Sequence, residues 1–63
     1  MAEITIKSDK KLNKVLLLLQ ASGAALIITD GQKTEITALE GYPDMVIYQL
    51  REAGATINNI ERI

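Results

Sequence analysis

The chain has no cysteine, no histidine, no tryptophan and no phenylalanine, and one proline in 63 residues. Each absence removes some chemistry. Without cysteine there is no disulfide and no thiolate metal site. Without histidine the commonest general base, the imidazole metal ligand and the Ser-His-Asp arrangement all go. Ser8 and Ser22 are the only serines, and neither has a base in local reach. The glycines at 23, 31, 41 and 54 stand alone, each at an expected element boundary, so no Gly-rich phosphate loop is present. The acidic residues are scattered. The chain is therefore expected to be no enzyme, with no cofactor and no metal. The longest apolar run, Val15–Leu19, is far short of the roughly 20 residues of a membrane span. Met-Ala-Glu-Ile opens the chain without the basic region and apolar core of a signal peptide, so the expectation is a soluble, cytoplasmic protein with no membrane partner.

What remains is aliphatic. Hydrophobic residues make up 48% of the chain, yet its only aromatics are two tyrosines, and the net charge is −1. Near-neutral charge argues weakly against nucleic-acid binding driven by bulk electrostatics. A domain this short buries only about 60% of its unfolded surface. With no covalent staple, self-association is the usual complement.

Leu12–Ala21 is the strongest apolar segment. At 100° per residue Leu12, Val15, Leu16 and Leu19 share one helical face. Ser8 precedes it as the expected N-cap, Asp9 lies in the expected first turn, and Gly23 reads as the stop. Leu17 and Leu18 point away from that face, beside Lys10, Lys14 and Ala21. Lys7, Lys10, Lys11 and Lys14 form a basic cluster, read as a solvated face, with a weak anion site as the alternative.

Ala2–Lys7 alternates, with Ala2, Ile4 and Ile6 on one side, the pattern of a half-buried strand. Ala24–Leu39 is interrupted by Asp30-Gly31, a strong hairpin signal. A three-residue loop Thr29-Asp30-Gly31 pairs Leu26 with Thr34 and Ala24 with Ile36. It collects Ala24, Leu26, Ile28, Thr34, Ile36 and Ala38 on one face and leaves Ile27 outside. A two-residue loop Asp30-Gly31 sets Leu26 against Glu35, so the three-residue loop is preferred. Gly41-Tyr42-Pro43-Asp44 is a break and then a helix start. On the helix to Ala53, Tyr42, Val46, Leu50 and Ala53 form the expected inward stripe, with Tyr48 opposite and Met45 on a flank. Ala55–Ile63 is a last strand in which Ile57 and Ile60 break strict alternation. Asn58-Asn59 is either a bulge or a turn between two short strands.

The order strand–helix–strand–strand–helix–strand resembles the ferredoxin-like split βαβ class: a two-layer α+β sandwich of a four-stranded antiparallel sheet with two helices on one face. Within it, Leu12-Asn-Lys-Val-Leu-Leu-Leu-Leu followed by Gly23-Ala24 resembles the first helix of ACT-type regulatory domains, which implies a small-ligand sensor binding amino acids at a dimer interface. Ile47–Ile57 is similar to the end of the recognition helix and the start of the wing in small, phage-type winged-helix DNA-binding proteins. That resemblance implies a first helix at Leu12–Gly23, a second at residues 29–40, a wing turn at Asn58-Asn59, and DNA contacts from Lys33, Gln49, Arg51 and Asn58.

The functional expectation is a small non-enzymatic regulatory module acting through protein contacts, as a homo-oligomer or on a larger protein partner. Its interface candidates are Leu17, Leu18, Ile27, Met45 and Tyr48. The alternatives are the winged-helix transcriptional regulator, with nucleic acid as partner, and the ACT-like sensor.

Overall fold

The alternation of Ala2–Lys7 becomes a strand, β1, that buries Ala2, Ile4 and Ile6 and turns Glu3, Thr5 and Lys7 outward. The computed structural model describes residues 1–63. After β1 come a 3-10 turn at Lys10–Leu12, helix α1 at Asn13–Ala21, strand β2 at Ala25–Asp30, strand β3 at Lys33–Ala38, helix α2 at Pro43–Glu52 and strand β4 at Ile57–Arg62. The strands form one antiparallel sheet in the order β2-β3-β1-β4. The architecture is α+β. The extended backbone of β2 and β3 also corrects the winged-helix expectation, because the second helix it needs at residues 29–40 is a hairpin.

The registers join into rows. Ile27 faces Ile36, Ile36 faces Ile4, and Ile4 faces Ile60, so isoleucines from all four strands run side by side across the sheet. β-Branched side chains suit this pleated, one-sided burial. On this face the sheet packs against Leu12, Leu16 and Leu19 of the 3-10 turn and α1, and against Val46, Ile47 and Leu50 of α2. The helical face expected from the 100° period is thus the one α1 buries, with Val15 half-buried beside it.

Local details depart from expectation for identifiable reasons. Asp9, not Ser8, caps the first turn: its Oδ1 accepts the Lys11 N–H at 3.0 Å. Ser8 Oγ instead lies 2.8 Å from Thr34 Oγ1, giving the one buried polar residue a partner. α1 proper begins at Asn13, behind the 3-10 turn, with no side-chain cap. Pro43 occupies the first helical position of α2, so Tyr42 falls at the cap before it and is 42% exposed rather than inward. Ile47 takes a place in the core instead. At β4 the register against β1 shifts between Thr5 and Ile6, so Asn58 is an extra residue, a bulge within one strand.

The largest correction concerns the hairpin. β2 and β3 are joined by Gly31-Gln32, closed by the pair Asp30–Lys33. Neither expected loop, Thr29-Asp30-Gly31 nor Asp30-Gly31, is the one formed. Gly31 has φ +57° and Gln32 does not have positive φ, the sign pattern of a type II′ turn, whose twist matches the strands it joins. The consequence is a one-residue change of face. Ala25, Ile27 and Thr29 point toward the helices, while Leu26 and Ile28 lie on the outer face, 60% and 66% exposed. Ile27, expected outside, is half-buried against the core.

Candidate interaction surfaces

The five expected interface residues do not form one patch. Leu18 and Met45 do meet: with Val15, Leu19, Ser22 and Gln49 they line an open groove of about 320 Å³ between α1 and α2. Leu17, 68% exposed, lies 100° round α1 from Leu18, on the flank away from α2. Tyr48 stands on the opposite flank of α2, over a depression shared with Ile47, Arg51 and Ile60. Ile27 belongs to the core side of β2.

Two residues outside that expectation now matter, Leu26 and Ile28. Their outward neighbours along the rows are polar: Thr37 and Glu3 beside Leu26, Glu35 and Thr5 beside Ile28. Within the paired strands the exposed apolar residues of the outer face are therefore on β2, at the sheet's margin, while Met1 and Ile63 are exposed just beyond the ends of β1 and β4. The sequence signal for this was the Gly-Gln step, since glycine at the first central position of a two-residue loop specifies a II′ turn.

The polar candidates separate as well. Lys33 and Asn58 line a depression with Lys7, Ser8, Gly31 and Gln32 at one end of the sheet. Lys7 and Lys33 are direct cross-strand partners there, and Glu3 faces Glu61 toward the other end. Like charges in direct opposition are mildly destabilising. Gln49 lies in the helix groove and Arg51 on the far flank of α2, so only Lys33 and Asn58 of the four expected DNA contacts come together. Of the basic cluster, Lys11 pairs with Asp9 at 3.8 Å; outside it, Arg62 of β4 pairs with Asp44 of α2 at 3.1 Å across exposed surface. Ser22 Oγ donates to the Leu19 carbonyl at the end of α1.

No buried side-chain nitrogen or oxygen lacks a hydrogen-bond partner. No group of three or more acidic, histidine or cysteine side chains could hold a metal ion, and no helix is long and apolar enough to cross a membrane. No family model, no curated protein and no solved structure matches the chain.

Proposed function

We propose that the chain is a small non-enzymatic regulatory module that binds protein and self-associates. One observation carries this reading. Leu17, Leu18, Leu26, Ile28 and Tyr48 are each at least 60% exposed, around a core that is otherwise closed. Single exposed apolar residues are ordinary. Here four of the five come as an adjacent pair on α1 and an alternating pair on β2, which is how contact surfaces are built. A binding role, rather than catalysis, is supported by a residue repertoire without histidine or cysteine. It is also supported by an interior whose polar side chains are all paired, leaving none directed at a substrate. The element order and the strand order β2-β3-β1-β4 support the ferredoxin-like class for this α+β domain.

Size-exclusion chromatography with light scattering over a dilution series tests it. The expected result is a mass above the monomer at high concentration that falls on dilution, and a lower mass for Leu17→Lys. A monomer at every concentration, with no partner retained in a pull-down, contradicts the proposal.

A further inference from the structure

β2 has a single neighbour, β3, so its other side is an edge of the sheet. The register decides which backbone groups point there. The turn closes on Asp30–Lys33, and at the far end the Leu39 N–H donates to the Ala24 carbonyl at 3.0 Å. Hydrogen-bonded and non-hydrogen-bonded pairs alternate in an antiparallel ladder. Ala24, Leu26, Ile28 and Asp30 therefore bond to β3, while Ala25, Ile27 and Thr29 direct N–H and C=O outward. Ala25 is only 1% exposed, which closes that end. The open stretch is Leu26–Asp30, and Ile28 is its midpoint.

The two edges of the sheet are unlike. Edge strands are commonly blunted by charge, proline or a bulge. β4 has the Asn58 bulge and carries Glu61 and Arg62. β2 has no bulge and no proline, and its only charge is the terminal Asp30.

Helix α1 repeats the pattern one layer up. It runs antiparallel to β2: Asn13 and Leu16 share a depression with Thr29, and the Leu19 carbonyl accepts the Ala24 N–H. Leu17, at the middle of α1, is thus level with Ile27 and Ile28. Because Leu18 faces α2, Leu17 looks the other way, over the open edge.

We propose that a second copy of this chain pairs antiparallel with the β2 edge, about a two-fold axis through Ile28. This rests on the self-association reading above and specifies its geometry. Residues opposed in an antiparallel sheet share a face, so an axis on a residue keeps both helix layers on the same side. An axis on Ile28 joins Ile27 to Thr29 of the second copy, and Thr29 to Ile27, each pair exchanging N–H···O bonds both ways. Ile28 meets its own copy on the outer face, with each Leu26 diagonal to it. Leu17 approaches Leu17 of the second copy in the helix layer. No like charges are opposed, since Asp30 falls opposite Leu26 at the rim and has Lys33 of its own chain as cross-strand partner. The product is one eight-stranded sheet under four helices. Five open residues at about 3.3 Å each, over two layers about 10 Å apart, present roughly 300 Å² of projected area per copy. An outline this small falls short of a standard complex, which buries roughly 800 Å² of accessible surface per partner, so this dimer dissociates on dilution.

Sedimentation equilibrium on wild type, Ile28→Lys and Asn59→Lys tests the pairing, with circular dichroism confirming that each variant is folded. Ile28→Lys opposes two ammonium groups at the axis and is expected to raise the dimer dissociation constant on the order of a hundredfold or more. Asn59→Lys puts the same charge on the outer face of the opposite edge strand, β4, and is expected to leave it unchanged. In a sample mixing isotope-labelled and unlabelled wild type, an intermolecular Leu26 Hα to Asp30 Hα contact is expected. A dimer that survives Ile28→Lys or lacks this contact overturns the edge pairing and leaves self-association standing. A wild-type monomer at the highest concentration NMR uses overturns both.

Discussion

Truncating Ile4 to alanine tests the arrangement of the core. Ile4 is 1% exposed in the central strand, with Ile36 opposite on one side and Ile60 on the other. Ile4→Ala removes three carbons, about 2.4 kcal/mol at roughly 0.8 kcal/mol for each. Strands on both sides and helices above limit collapse of the space left behind, which raises the cost to about 3–4 kcal/mol. A domain of 63 residues has only about 3–9 kcal/mol in total. At roughly 4–8 °C per kcal/mol, the Tm should fall by about 12–32 °C. Ile28→Ala, the same truncation on the outer face, should change stability by no more than about 0.5 kcal/mol. Both are measured by urea and thermal unfolding followed by far-UV circular dichroism, in dilute solution so that association does not contribute. An Ile4→Ala protein within about 1 kcal/mol of wild type, or an Ile28→Ala protein as damaged as Ile4→Ala, refutes the assignment of faces.

Three smaller perturbations follow from particular contacts. Asp9→Ala removes the acceptor for the Lys11 N–H and should cost about 1 kcal/mol in urea unfolding, whereas an unchanged midpoint would deny Asp9 its capping role. Gly31→Ala puts a Cβ on a residue with φ +57° and should cost about 1–2 kcal/mol by the same assay, although nothing lies within 4 Å of that Cβ; no loss would mean the turn is not the II′ type. Arg62→Ala breaks an ion pair whose side chains are mostly exposed and should move stability by less than about 0.5 kcal/mol, with no dependence on salt beyond that.

Much of this fold is readable because its elements obey a period. The 3.6-residue repeat identified the buried side of α1 and, by exclusion, the exposure of Leu17 and Leu18. The two-residue repeat did the same for Ile4 and Ile6. Tyr42 escaped because Pro43 starts the helix after it, and a cap residue does not follow the helical period. The hairpin was legible as a hairpin, but its register was not. Hydrophobic matching favours burying Leu26 and Ile28; the Gly31-Gln32 turn buries Ala25 and Ile27 instead, in line with Ala38 and Ile36. Turn geometry prevailed over apolar area, and it leaves two large side chains in water that a partner can cover. The candidate surface on β2 was therefore concealed by one step of register, while spacing alone put Leu18 off the buried stripe and Met45 on a flank without showing that they line one groove.

Residue-resolved amide hydrogen exchange along β2, in dilute protein, tests the central claim that this strand bonds to β3 on one side and is bare on the other. The amides of Leu26, Ile28 and Asp30 should be protected by β3, and those of Ile27 and Thr29 should exchange rapidly. The opposite alternation, with Ile27 and Thr29 protected and Leu26 and Ile28 exchanging, would mean the strand is shifted by one residue and would contradict the account.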